Sequence, residues 1–363
     1  MISAMPAALA SKTRLVTGLS VRTEAILDKA LSGLALSRSE LLELVRLDEH
    51  SLEAAQLRAT ADTISRTRFA NKGMLLAQVG VEAFPCPANC GFCSFGEEHF
   101  SAATCALDDA ALTRLCTQTA GSDALYAFFL MFMHTYDFER VLRSVRLARK
   151  LFPSHTDIVL NMGDFDQVQA KELKSAGANG VYHVSRLREG VDTSLHTIDR
   201  LRTIAALKAA GLDWYTCCEP IGPEHSPEEL VDQILIGRDY DCFQHAVMRR
   251  VAVPGTPLAE RGQITSLRFA QLAGVVALAM IGTPSLTSIA VHEPDMVGLT
   301  SGGNCVYAEF GVNPRDTAQD TSNGRGFSIT RCTSMLHEAG YEGLMQASTQ
   351  ERCPSVQLLK AVR

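Results

Sequence analysis

Two patterns of apolar and polar positions divide the chain. Up to residue 71 the apolar positions recur at helical spacing. In Ser37-Arg-Ser-Glu-Leu-Leu-Glu-Leu-Val-Arg46, Ser37 and Glu40 form a capping box ahead of Leu41, Leu42, Leu44 and Val45. From Lys72 the chain turns to short apolar runs separated by helical segments: Met74–Val79, Leu125–Met133, Asp157–Asn161, Gly180–Val184, Asp213–Cys218, Cys242–Val253, Ser285–Val291 and Asn304–Phe310. Eight runs alternating with helices are the pattern of an α/β fold whose parallel strands close into a (β/α)8 barrel.

The punctuation between runs agrees with this. Arg200 to Ala210 carries Leu201, Ile204, Ala205 and Leu207 on one face and is followed by Gly211, a helix-ending residue, just before a run. The same arrangement recurs at Lys171-Glu-Leu-Lys-Ser-Ala-Gly177. Ser226-Pro-Glu-Glu is a capping box with proline at the first helical position, so Glu219 to His225 forms a loop after the fifth strand. In a barrel such loops lie on the catalytic face.

Composition narrows the function. At 363 residues the chain has room for a large core, and 46% hydrophobic with 20% charged residues is a globular balance. No apolar run reaches the roughly 20 residues that span a bilayer, so no membrane association is expected. The net charge of −6 argues against a broad nucleic-acid-binding face. Met1 to Leu19 holds Lys12 and Arg14 but no apolar stretch followed by a cleavage site, which points to the cytoplasm. Eleven cysteines spread over a long chain read as reduced, buried thiols.

One group of cysteines breaks that reading. Phe84-Pro-Cys86-Pro-Ala-Asn-Cys90-Gly-Phe-Cys93 places three thiols within eight residues, directly after an apolar strand. A loop of this kind turns three sulfurs toward one centre. A closed zinc site needs a fourth ligand, for which His99 and Cys105 are the nearest candidates. A non-enzymatic zinc-binding protein therefore stands as an alternative.

With Phe92 just before the third cysteine, Cys86, Cys90 and Cys93 resemble the C-x3-C-x-Φ-C signature of the radical S-adenosylmethionine (SAM) superfamily. The resemblance implies a TIM-type barrel and a [4Fe–4S] cluster held by three thiolates, its fourth iron open to the amino and carboxylate groups of SAM. It further implies reductive cleavage of SAM to a 5′-deoxyadenosyl radical that abstracts hydrogen from a small-molecule substrate, with an electron donor such as flavodoxin or ferredoxin. Within the superfamily the chain is similar to the biotin synthase-like group, which includes the hydrogenase maturase HydE and methylornithine synthase. The landmarks are the helical lead-in from Leu31, the stretch Asp213 to Leu230, Val253-Pro-Gly-Thr-Pro-Leu258 and Ser301-Gly-Gly-Asn-Cys-Val-Tyr. The Gly-Gly-Glu-like motif that contacts the SAM amino group in many relatives is missing; Met133-His-Thr-Tyr-Asp137 stands there instead.

On the resemblance, Phe92 lies near the cluster or the SAM adenine and backbone carbonyls of Met133 to Thr135, with His134, face the amine. Ser185 offers a hydroxyl, and Arg186 or Arg188 a two-pronged contact to the SAM carboxylate. Glu219 faces the cavity, and Asn304 bonds substrate or orders a turn. The expected organisation is a helical N-terminal extension over 1–71, the barrel over 72–320 and a C-terminal segment covering it over 321–363. The expected chemistry is rearrangement, fragmentation or C–C bond formation. The alternative is sulfur insertion as in biotin synthase, which uses a second cluster inside the barrel. The second and third runs contain no cysteine, and only one of the neighbours Cys217 and Cys218 can face inward. Cys242 and Cys305 are then the remaining thiols for such a cluster.

Overall fold

The computed structural model describes residues 20–100, 103–315 and 326–347. Its eight barrel strands are β1 (Lys72–Gly80), β2 (Ala127–Met131), β3 (Asp157–Asn161), β4 (Gly180–Tyr182), β5 (Asp213–Ile221), β6 (Gln244–Arg249), β7 (Ser288–His292) and β8 (Cys305–Gly311). Each pairs in parallel with the next, and β8 returns to β1 in a register running from Met74 opposite Cys305 to Gly80 opposite Gly311. The sheet is thereby a closed (β/α)8 barrel, as its pattern of runs predicts.

Strand alternation sorts the side chains between two cores. Met74, Leu76, Phe129, Val159, Tyr215, Cys217, Ala246, Cys305 and Tyr307 belong to the inner cluster. Leu75, Ala77, Trp214, Cys218 and Val247 instead join the outer core beneath the helices. The lumen is filled largely by rings: Phe129 meets Tyr215 and Tyr307 edge-on, with centroids 5.3 and 5.2 Å away. Cys242 also lies in the outer core, so the lumen contains Cys217 and Cys305 but neither Cys218 nor Cys242.

The N-terminal extension is helical where described: α1 (Val21–Leu31), α2 (Arg38–Arg46) and α3 (Leu52–Arg68). Ser37 and Glu40 form the expected capping box at α2. The outer layer continues with α4 (Asp109–Ala120), α5 (Phe138–Leu151), α6 (Gln167–Ala176), α7 (Thr197–Ala209), α8 (Pro227–Asp239), α9 (Ser266–Ala279) and α10 (Met296–Leu299). Gly177 takes φ of 109° just past α6, and Ser226 with Glu229 caps α8 behind Pro227. No helix among the described residues is long and apolar enough to cross a membrane.

Of the C-terminal segment, α11 (Ile329–Glu338) and the two-residue strand Gly343–Leu344 are described. That strand pairs with Lys72 and Gly73 at the start of β1, and Met345 and Ala347 pack on the inner cluster. This part closes the floor of the barrel, opposite the mouth. The expectations for Met1 to Leu19 lie outside the described residues.

At the floor, burial and then the neighbouring Asp213 push the Asp157 carboxyl up to about 7. An unfolded aspartate titrates near 3.9, so this group favours the folded state only while protonated. The cost to folding begins above pH ~4 and is complete above about pH 7. Asp157→Asn should be more stable than the parent at pH 8 by on the order of 3 kcal/mol, the gap closing toward pH 4. Denaturant titrations across that range check both the sign and the window.

Candidate active site

After β1 the chain forms a small hairpin, Glu82–Ala83 against Cys105–Ala106, that flanks the three-cysteine loop. Within the loop, Cys86 N–H donates to Phe95 O at 2.7 Å, Glu97 N–H to Cys86 O at 3.0 Å and Cys93 N–H to Cys90 O at 2.9 Å. Asn89 takes a positive φ of 42°, which tightens the turn between the first two cysteines. Three other segments hold the loop from outside, through four bonds. Gly91 N–H donates to Asp192 O, Leu258 N–H to Gly91 O, Ser94 N–H to Pro314 O and Ser194 N–H to Ala88 O, all at 2.8 to 2.9 Å.

All three thiols are free and line one cavity at the mouth. Burial pushes the Cys90 thiol up to about 11 although Arg186 acts against it. Such a thiol gives up its proton when a metal group compensates the charge. Among the described residues, the trio of metal-ligating side chains with all donor atoms within 4.8 Å is Asp192, Glu224 and His225, not the cysteines. Arg250 and Arg261 already bridge Glu224 there. Of the nominated fourth zinc ligands, His99 Nε2 bonds Cys93 O at 2.7 Å, and Cys105 is a free cysteine in the hairpin, opposite Ala83. Three thiols spread wider than a single-ion site, with no fourth ligand grouped with them among the described residues, fit an iron–sulfur cluster better than one tetrahedral zinc.

The cavity has two lobes that share Cys90, Cys93, Met131, Asn161, Tyr182 and Arg186 as common wall. The first, about 760 Å³, adds Cys86, Glu82, Met133, His134, His183 and Arg200. The loops after β2 and β3 meet closely here: a Cβ on Gly163 would lie 1.9 Å from His134 O, so only glycine fits. Behind this wall Asp164 receives His183 Nε2 at 3.1 Å, Thr203 Oγ1 at 2.9 Å and the Arg200 guanidinium. Burial alone would raise the Asp164 carboxyl, but the His183 bond and the Arg200 charge hold it below its usual value. Arg200 Nε has no hydrogen-bond partner, although the residue is almost wholly buried. An unmet donor on a buried guanidinium beside a cavity is an anion-recognition feature.

The second lobe, about 690 Å³, adds Phe92, Gln78, Glu219, Met248, His292 and Tyr307. Tyr182 donates its hydroxyl to Glu219, and Arg186 Nε lies 3.4 Å from the same carboxylate. Across the lobe, Glu309 accepts Gln78 Nε2 at 2.6 Å and pairs with His292 and Arg315.

The nominated residues divide accordingly. Cys86, Cys90, Cys93, Phe92, His134, Arg186 and Glu219 all line the cavity. Burial, then Arg200, lowers the His134 pKa and favours its neutral ring. Ser185 is buried and lines neither lobe; its carbonyl accepts Gln233 Nε2. Arg188 also lies off the cavity, 3.6 Å from Asp192 and 3.9 Å from Glu229. Asn304 requires the largest correction. It precedes β8 and so sits at the floor, its Oδ1 accepting Ile289 N–H at 2.9 Å and its Nδ2 donating to Lys72 O at 3.3 Å. The mouth is reached by residues in the C-terminal parts of the strands and in the loops that follow them, not by residues that precede a strand. Sequence reading missed Glu82, Asp164, His183, Arg200 and the Gln78–Glu309–His292–Arg315 group; the position of Asp164 just after β3 was the available signal.

No family model matches the chain. Among curated proteins, it is 24% identical over 270 residues to a biotin synthase of Geobacter sulfurreducens, covering 71% of this chain and 80% of that one. It is 28% identical over 263 residues to a biotin synthase of Renibacterium salmoninarum, covering 67% and 72%. Among solved structures, methylornithine synthase superposes with a TM-score of 0.75 at 16% identity, over 89% of this chain and 98% of that one. The FeFe-hydrogenase maturase HydG from Carboxydothermus hydrogenoformans gives 0.70 at 14% identity, over 88% and 79%. With three free cysteines in signature spacing at the mouth of a closed parallel barrel, the chain is similar in sequence to biotin synthases and in fold to methylornithine synthase and HydG.

Proposed function

We propose that Cys86, Cys90 and Cys93 hold a [4Fe–4S] cluster beside SAM in the first lobe, and that a small-molecule substrate occupies the second. The reaction is then hydrogen abstraction leading to rearrangement, fragmentation or C–C bond formation. The observation that carries this reading is that Cys90 and Cys93 line both lobes. A cluster with three protein thiolates and one open iron supplies, when reduced by a carrier such as flavodoxin or ferredoxin, a hydrogen-abstracting group derived from SAM.

The chain's own groups account for binding and orientation. Arg200, anchored by Asp164, lines the lobe and offers its guanidinium to the SAM carboxylate. Arg186 is held toward the cavity by Glu219, whose other partner is the Tyr182 hydroxyl. Neutral His134 adds no charge beside the SAM amine. Phe92 gives the second lobe an aromatic wall, and Met131 and Met248 add apolar surface that keeps water from the reacting centre.

Sulfur insertion is the weaker reading. At the inward positions of β2 and β3 stand Phe129 and Val159, and the lumenal thiols are Cys217 and Cys305. Gln244 Nε2 already contacts Cys305 Sγ at 3.5 Å, and the Cys217 thiol lies 3.6 Å from Cys218 O. Aromatic rings take the remaining space.

Single changes of Cys86, Cys90 or Cys93 to alanine should abolish both iron retention and 5′-deoxyadenosine release after dithionite reduction. Cys116→Ala, a buried site under the outer helices, should leave both intact. Wild-type iron in any of the first three would remove that cysteine from the set. Anaerobic reconstitution should give about four irons per chain, unchanged in Cys217→Ala. A count of six to eight that falls in this variant would favour sulfur insertion. Asp164→Asn should free Arg200 and weaken SAM binding about tenfold with iron unchanged, since a charged hydrogen bond contributes roughly 1.5–3 kcal/mol; calorimetry on the reconstituted protein measures it.

A further inference from the structure

We propose that Glu82 holds the ammonium group of SAM, from a strand other than the one whose Gly-Gly-Glu-like motif is missing here. The inference rests on the SAM-binding reading of the first lobe. Glu82 stands four residues before Cys86, in the short strand of the hairpin that follows β1. Its side chain is 5% exposed, yet it lines the lobe that contains the three cysteines. A carboxylate in that position needs partners, and two are present. Oε1 accepts Met133 N–H at 3.3 Å, and Oε2 accepts Arg140 Nη1 at 2.8 Å.

Those two bonds leave acceptor capacity unused. An ionised carboxylate offers about four lone-pair positions, and an ammonium brings three donors and no acceptor. The bond to Met133 is long, so it yields readily to a charged donor. It also fixes Glu82 against the segment after β2, Met133-His-Thr-Tyr-Asp137, which has no acidic side chain before Asp137. Asp137 is committed elsewhere, capping α5 through Arg140 N–H at 3.2 Å. Glu82 thus brings to the end of β2 the carboxylate that β2 does not carry.

Its placement is rigid. Glu82 pairs with Ala106 across the hairpin, and the second Arg140 nitrogen donates to Leu107 O at 2.8 Å, tying α5 to the same hairpin. An ammonium seated at Glu82 lies in the same lobe as Arg200, so opposite charges are available for the two ends of an amino-acid group. The competing role for Glu82 is purely mechanical, as an anchor that docks α5 through Arg140.

The two roles separate in a binding experiment with two probes. SAM carries the amino-acid group; 5′-methylthioadenosine carries the adenosine end without it. Both are titrated calorimetrically into anaerobically reconstituted wild type and Glu82→Gln, with iron content and melting temperature recorded. Glu82→Gln should keep its iron, bind SAM about tenfold more weakly and bind methylthioadenosine as the parent does. Unchanged SAM affinity overturns the proposal, as does an equal loss for both probes, which is the mark of a mechanical anchor. Arg140→Met, which leaves the carboxylate in place, covers the case in which Glu82→Gln loses iron or fails to fold. It should still prefer SAM over methylthioadenosine, and loss of that preference overturns the proposal. A wild-type protein that takes up iron but binds SAM no better than methylthioadenosine defeats the proposal alone; one that takes up no iron defeats the radical SAM reading as well.

Discussion

Everything at the mouth depends on the pairing of β1 with β8. Parallel closure forces all eight strands to end on the same side, so the loops that follow them converge on one opening. The three-cysteine loop follows β1, Asp164 follows β3, Arg186 follows β4 and Glu219 lies near the C-terminal end of β5. None of these groups is near another in sequence. The closed register, with no free edge, is what turns separate strand ends into a wall around one cavity.

A second constraint is electrostatic. The cavity gathers charges that burial alone would penalise, and most are held in opposed pairs: Arg186 with Glu219, Arg200 with Asp164, Arg315 with Glu309, Glu82 with Arg140. Removing one member of a buried pair leaves its partner uncompensated, so these pairs serve to fix geometry more than to add stability. The Arg186 guanidinium shows the balance. Its burial favours the neutral form, yet the charges of Glu219 and Cys90 more than offset that and keep it firmly protonated.

The fold was legible because it is written in periodicity. All eight apolar runs became barrel strands, the third with the same boundaries, Asp157–Asn161. The capping boxes at Ser37 and Ser226 and the glycine after α6 fell where local chemistry put them. The cysteine loop was legible because its ligands are close in sequence. Asn304 misled because a Gly-Gly-Asn stretch states a backbone property, not which end of the barrel it occupies. Ser185, Arg186 and Arg188 span one irregular segment after β4, where strand alternation no longer fixes direction, and only Arg186 lines the cavity. Arg200 and Glu82 could not be singled out, since one lies inside a helix and the other in a two-residue strand; burial beside the cavity, which the sequence does not encode locally, is what distinguishes them.

The floor strand has a consequence for how the molecule assembles. Gly343–Leu344 pairs with Lys72 and Gly73, contacts that join the two ends of the barrel sequence. During synthesis β1 is made early and waits for this partner until nearly the whole described chain has emerged. The seal therefore depends on contacts of very long sequence separation, whose loop entropy is settled only when the rest is in place. Until that contact forms, the inner rings and the lumenal cysteines lack the cover that Met345 and Ala347 give them at the floor.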